Sequence, residues 1–142
     1  MLIGILGGGQ LARMLALAGY PFGFRFRVLD PAADCPASRC CELVQGAYDA
    51  PAALERFATG CDVITYEFEN VPAIAVRRLA GHAPIHPSPR ALEVGQDRLF
   101  EKSLFKELGL GVHDFAAVET HDELKAAAET LGLPMVVKTR RM

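Results

Sequence analysis

The stretch Leu2–Leu17, LIGILGGGQLARMLAL, constrains the fold more than any other part of the chain. A short apolar run, Leu2-Ile3-Gly4-Ile5-Leu6, leads directly into Gly7, Gly8 and Gly9. Beyond Gln10, the residues Leu11, Met14, Leu15 and Ala18 recur at i, i+3, i+4 and i+7, which places them on one face of a helix. The pattern predicts a buried strand, a tight glycine turn and a helix whose N-terminus faces the turn. Glycine suits that place because side chains would obstruct both the bend and the close approach of a ligand. The first N–H groups of a helix have no partner within it, and the helix dipole adds partial positive charge, so the turn is suited to an anion such as a phosphate. Gly7-x-Gly9-x-x-Ala12 also fits the dinucleotide fingerprint with Ala in its third slot, and Asp30 ends the next apolar run where a ribose-binding acid would fall. A turn that only joins strand to helix is the third reading.

The remainder of the chain alternates. Phe24 to Leu29 reads as a strand, with Phe24, Phe26 and Val28 against Arg25 and Arg27, and Leu43-Val44 as a short one. Pro51 to Thr59 reads as a helix with Leu54, Phe57 and Ala58 inward, ended by Gly60. Asp62 to Tyr66 is the next strand. Asn70 is placed to cap a helix running to Ala80 with Ile74 and Leu79 buried. Ala83 to His86 reads as another strand, and Ser88-Pro89 as another helix start. This order predicts an α/β fold, a doubly wound parallel sheet with helices on both faces. Ligands of such sheets bind beyond the carboxyl ends of the strands, where the glycine turn and the Glu67-Phe68-Glu69-Asn70 loop converge.

From Gln96 the character changes. Asp97 to Leu108 reads as a charged helix with Phe100, Leu104 and Leu108 inward; Phe115 to Val118 reads as a strand. Thr120 with Glu123 forms a capping box for a helix to Leu131, and Met135 to Lys138 begins a further strand. The organisation expected is a Rossmann-like domain over residues 1–95 and a linker helix with an incomplete second domain over 96–142.

Of the 142 residues, 51% are hydrophobic and 23% charged, an ordinary balance for a globular protein. A net charge of −2 offers no basic surface for nucleic acid, and no apolar run approaches the length of a membrane span. With no secretion signal and no CxxC pair, Cys35, Cys40, Cys41 and Cys61 read as small apolar residues in a reducing cytoplasm rather than a zinc site. The four histidines are scattered.

Three groups of residues carry chemistry. Glu67 and Glu69, at i and i+2 beyond a strand, are suited to accept from sugar hydroxyls, to hold a metal or to act as base, or else to cap a helix and be solvated. Lys138 closes an apolar run, where a lone ammonium needs an anion or water. Arg98, near a helix start, opposes the helix dipole and so suggests a further duty.

Gly7-Gly8-Gly9-Gln10-Leu11-Ala12-Arg13-Met14-Leu15, Thr65-Tyr66-Glu67-Phe68-Glu69-Asn70-Val71-Pro72 and Gln96-Asp97-Arg98-Leu99-Phe100-Glu101-Lys102 resemble, in order, three segments of the 5-(carboxyamino)imidazole ribonucleotide synthases, ATP-grasp enzymes of purine synthesis. The second segment is the most specific of the three. The resemblance implies a Rossmann-like preATP-grasp domain followed by the start of an ATP-grasp domain. It implies carboxylation of 5-aminoimidazole ribonucleotide with ATP and bicarbonate through carboxyphosphate. It further implies that Gly8, Gly9, Gln10 and Leu11 hold the ribonucleotide phosphate and Glu67 its ribose, that Arg98 and Lys138 contact ATP, and that the protein is a cytoplasmic homodimer. Ala12 departs from the family's usual Gly. The phosphate-covering loop and the Mg²⁺ ligands fall outside these residues, so the 142-residue chain is expected to be an inactive N-terminal portion with no catalytic residue of its own. An NAD-binding domain of an oxidoreductase and a non-catalytic phosphometabolite-binding module are the competing readings. Related ligases such as the formate-dependent glycinamide ribonucleotide transformylase and biotin carboxylase fit the Glu67–Pro72 run less well.

Overall fold

A computed structural model describes residues 1–141. The chain forms two compact units, Met1–Glu93 and a second beginning at Val94. The first unit is built on four parallel strands, β1 (Leu2–Leu6), β2 (Arg25–Asp30), β3 (Glu42–Gln45) and β4 (Val63–Tyr66), in the order β3-β2-β1-β4. β1 is central, in register with β2 from Leu2↔Arg25 to Leu6↔Leu29 and with β4 from Ile3↔Val63 to Leu6↔Tyr66. The helices are α1 (Gln10–Gly19), α2 (Pro51–Ala58), α3 (Ala73–Leu79) and α4 (Pro89–Gly95), with α5 (Arg98–Glu107) and α6 (His121–Leu131) in the second unit.

Side chains alternate across the sheet and feed two cores. On one face Leu6, Leu29, Val44 and Ile64 pack with Leu54 and Phe57 of α2 and with Val76 and Leu79 of α3. On the other, Ile5, Phe26 and Val28 pack with Ala12 and Ala16 of α1. Burying one large apolar side chain contributes about 1.5–3 kcal/mol, and both faces of the sheet are covered, as the alternation of strands and helices predicts.

Several expectations are corrected. The face that α1 buries is Ala12, Ala16 and Gly19, whereas Leu11, Met14 and Leu15 stand exposed. The helix lies so close to the sheet that only small residues fit beneath it: a Cβ on Gly19 would run into the Phe26 ring. The large residues of α1 are therefore turned away from the sheet. Ile74 of α3 is likewise exposed, while Leu79 is buried. Asn70 does not cap that helix; Pro72 occupies the N-cap, with no side-chain hydrogen bond. Ala83 to His86 contributes only an isolated bridge, Ile64↔Ile85. The Ser88 cap is present, its Oγ accepting from Ala91 N–H at 3.3 Å.

In the second unit the capping box on α6 forms as read, Thr120 accepting from Glu123 N–H and Glu123 from Thr120 N–H. Phe115–Val118 and Met135–Lys138 are not strands: they have no ladder partner among the described residues, and an extended segment becomes a strand only when a neighbour takes its hydrogen bonds. Val136 and Val137 are accordingly exposed, as are Phe100 and Leu108, while Leu104 is half-buried.

Candidate functional site

The parallel register brings the carboxyl ends of β1, β2 and β4 to one edge. Gly7 N–H donates to Leu29 O at 3.0 Å, and Glu67 N–H to Leu6 O at 3.1 Å, so the glycine turn and the loop after β4 begin side by side. Gly7 takes φ +99°, a conformation that favours glycine, and a Cβ there would fall 2.6 Å from Glu67 Cγ. A Cβ on Gly9 would fall 2.6 Å from Glu67 Oε1. The glycines thus make room for a carboxylate that arrives from a distant part of the chain.

That carboxylate completes α1. Gly9 is the N-cap of the helix and carries no side chain to cap it. Instead Glu67 Oε1 accepts from Gly9 N–H at 2.6 Å and Oε2 from Ala12 N–H at 2.8 Å. A negative group at a helix N-terminus is favoured both by the dipole and by the N–H groups it satisfies. Asp30, at the end of β2, does the same one residue earlier. Its Oδ2 accepts from Gly8 N–H at 2.8 Å and its Oδ1 from Ala32 N–H at 2.8 Å.

The four turn residues read as phosphate ligands are therefore divided. The Gly8 and Gly9 amides are engaged by Asp30 and Glu67, whereas those of Gln10 and Leu11 have no acceptor among the described residues, and both residues are exposed. Glu67 keeps unused lone pairs for a hydroxyl donor, since each oxygen accepts only one of these N–H groups. The carboxyl edge of the sheet thus offers two open donors and one carboxylate acceptor.

One residue at this edge escaped the sequence reading. Tyr48 donates its hydroxyl to Asp30 Oδ2 at 3.0 Å, and its ring meets Phe68 edge-on, with centroids 5.7 Å apart. Burial, then the hydrogen bond to Asp30, raises its hydroxyl pKa, so Tyr48 remains a donor at neutral pH. No local pattern announces such a contact, which spans three loops. Asp30 itself stands where a dinucleotide's ribose acid would be, but both its oxygens are turned onto its own chain.

The second unit contains a cleft of about 700 Å³ lined by, among others, Arg98, Lys102, His113, Lys138 and Arg140. Arg98 and Lys138, the expected ATP contacts, both line it. The residue that holds Arg140 in place is Asp97, 3% exposed. Asp97 caps α5 by accepting from Leu99 and Phe100 N–H, and its two oxygens take a fork from Arg140 at 3.2 and 2.8 Å, with Arg141 at 3.4 Å. Arg98 N–H donates to Arg140 O at 3.0 Å, which binds the segment after Lys138 to the start of α5. The Arg140 hydrogen bonds, with help from the Leu99 and Phe100 amides, hold the Asp97 carboxyl down at about 2. An Asp immediately before a helix is a legible capping signal; its arginine partners, 43 and 44 residues on, are not. Among the described residues no group of three His, Cys, Asp or Glu side chains is placed to hold a metal ion, and no helix is long and apolar enough to cross a membrane.

Comparison with known proteins bears on the family and the fold. The model of the ribonucleotide synthetase preATP-grasp domain matches residues 1–96. N5-carboxyaminoimidazole ribonucleotide synthase of Pseudomonas aeruginosa is 46% identical over 142 residues, all of this chain but 39% of that protein. The crystal structure of N5-carboxyaminoimidazole ribonucleotide synthetase from Thermus thermophilus superposes with a TM-score of 0.94 at 52% identity, over 98% of this chain and 39% of that one. The Aspergillus clavatus enzyme, solved with ADP and 5-aminoimidazole ribonucleotide, gives 0.85 at 33% identity, over 94% and 36%. The chain thus spans 39% or less of the length of these relatives. A sheet of order β3-β2-β1-β4 with its glycine turn after the central strand, matched by the family model over residues 1–96, places this chain in the ribonucleotide synthetase preATP-grasp domain family.

Proposed function

We propose that this chain is the ribonucleotide-binding part, with the first ATP-contacting groups, of an N5-carboxyaminoimidazole ribonucleotide synthase, with residues 1–95 as the preATP-grasp domain and 96–142 as the linker helix and start of the ATP-grasp domain. The observation that carries this reading is the meeting of Glu67 with the glycine turn, which leaves the Gln10 and Leu11 amides open beside a carboxylate with spare acceptor capacity. Such a pairing suits a ribose phosphate: the two amides and the N-terminal dipole of α1 face the monoester, and Glu67 accepts from a ribose hydroxyl. Gly8 and Gly9 act through their smallness and their anchored amides, beside the ligand rather than as its donors.

In the reaction, a bicarbonate oxygen takes the terminal phosphoryl group of ATP, giving ADP and carboxyphosphate. The exocyclic amine of 5-aminoimidazole ribonucleotide then attacks the carboxyl carbon, and phosphate leaves. Arg98 and Lys138 offset the triphosphate charge, a role for which cations from a shared cleft are suited. Mg²⁺ supplies further charge neutralisation in phosphoryl transfer of this kind, and the described residues offer no cluster to hold it. A cytoplasmic homodimer belongs to the same reading.

Calorimetric titration with 5-aminoimidazole ribonucleotide tests the site. Saturable binding is expected, weakened at least ~10-fold, or ~1.4 kcal/mol, in Gly9→Val and in Glu67→Ala. Parent and variants that bind alike would remove the site assignment. Saturable micromolar NADH binding, read by its fluorescence, would favour the dinucleotide reading.

A further inference from the structure

We propose that Asp30 and Tyr48 are positioning residues of the ribonucleotide site, acting on both of its walls; this rests on the function proposed above. Asp30 Oδ2 takes two hydrogen bonds at once, from Gly8 N–H at 2.8 Å and from the Tyr48 hydroxyl at 3.0 Å. The first fixes the peptide plane entering Gly8, two residues before the open amide of Gln10. The second orients the Tyr48 ring, whose edge contact with Phe68 bears on the residue next to Glu67. One oxygen atom thereby links the donor wall, Gln10 and Leu11, to the acceptor wall, Glu67. The turn is further confined from the side of Asp30, since Ala37 N–H donates to Gly8 O at 2.8 Å and a Cβ on Gly8 would collide with Cys35 Sγ. Neither Asp30 nor Tyr48 needs to touch the ligand: Asp30 Oδ2 accepts twice within the protein, Oδ1 is turned onto Ala32 N–H, and the hydroxyl proton of Tyr48 is committed to Asp30. Their role is to hold the direction in which two backbone donors point, and a donor pair that must meet one phosphate is sensitive to that direction.

The test compares the parent with Asp30→Ala, Asp30→Asn and Tyr48→Phe by titration with 5-aminoimidazole ribonucleotide, and by the amide NMR signals of Gly8, Gln10 and Leu11 without ligand. Asp30→Ala is expected to weaken binding by about tenfold, ~1.4 kcal/mol, within what loss of a hydrogen bond to a charged group removes. It should also shift all three amide signals. Asp30→Asn keeps one oxygen able to accept from both Gly8 and Tyr48 and turns its NH₂ toward the exposed Ala32 amide, which water can satisfy, so it should restore affinity to within about threefold of the parent. Tyr48→Phe retains the ring against Phe68 and should fall between. Equal affinity and unmoved amides in Asp30→Ala would overturn the proposal, as would an Asp30→Asn variant no better than Asp30→Ala. If Asp30→Ala does not fold, Asp30→Asn and Tyr48→Phe decide the matter through the same amides. A parent that binds no ribonucleotide would defeat the proposed function, whereas the ligand-free amide signals would still decide whether Asp30 sets the turn.

Discussion

Glu67→Gln is the sharpest perturbation available, because it removes one charge and one acceptor while preserving shape. In the parent, Glu67 accepts from Gly9 N–H at 2.6 Å and from Ala12 N–H at 2.8 Å, and so caps α1 where Gly9 itself has no side chain to do so. Glutamine keeps one oxygen for one of these donors and turns an NH₂ group toward the other. A hydrogen bond to a charged group contributes about 1.5–3 kcal/mol, and a carboxylate at a helix N-terminus about 0.3–1 kcal/mol more. Glu67 is half-buried, so water reaches the abandoned amide and the lower ends of these ranges apply. The expected loss is about 2 kcal/mol. With a urea dependence of about 1–3 kcal/mol per molar, the unfolding midpoint should fall by about 1 M. The chain has no tryptophan, so far-UV circular dichroism is the suitable probe. Part of the loss is electrostatic and should shrink as salt is raised. A midpoint that moves by less than about 0.2 M would refute the placement of this carboxylate on the helix amides, and with it the acceptor wall of the site.

Asp97→Asn should lower stability most at neutral pH. The folded-state carboxyl lies at about 2, below its ordinary value, so its contribution is present above about pH 4 and is lost as pH falls toward 2; the urea midpoints of parent and variant should converge over that interval. Thr120→Ala breaks one half of the capping box and should cost about 1 kcal/mol of α6 stability, read as lost helical dichroism. Phe57→Ala empties a fully buried site between α2 and the sheet and should cost about 3–5 kcal/mol in urea unfolding. Burial, with Cys40 beside it, pushes the Cys41 thiol up to about 12, so iodoacetamide should alkylate Cys41 far more slowly at pH 8 than an unfolded control, by mass spectrometry.

The strand–turn–helix opening was legible because its signals are local: an apolar run, glycines where side chains cannot stand, and a helical period. The alternation of strands and helices then dictated a parallel sheet covered on both faces, and that sheet is present. What failed was the choice of buried face on α1. Periodicity ranks Leu11, Met14 and Leu15 above Ala12 and Ala16, but the spacing between helix and sheet is set by the smallest residues, and only the fold reveals which stripe is the close one. The strands expected at 115–118 and 135–138 failed for another reason: strand propensity is a preference for a pleated neighbour, and the described residues include none. The convergence of the glycine turn with the Glu67 loop was likewise legible from topology, but the destination of each carboxylate oxygen was not, because Gly9 and Glu67 are 58 residues apart and no period connects them.

The engaged amides change what a glycine-rich turn means. In an open turn of this kind, the helix N-terminus presents its first N–H groups to a diphosphate, and an acid at the end of the second strand is left for the ribose. Here that acid is withdrawn onto Gly8, and a second acid, from the loop after β4, covers Gly9 and Ala12. Two carboxylates take up the Gly8, Gly9 and Ala12 amides that a pyrophosphate would need, and leave donors for a single phosphate at Gln10 and Leu11. The same carboxylate that subtracts from the anion site adds a hydroxyl acceptor next to it. This is the ground on which we propose a sugar monophosphate and not a dinucleotide, and it lies in where two side chains point and not in the glycine spacing, which the two ligand classes share.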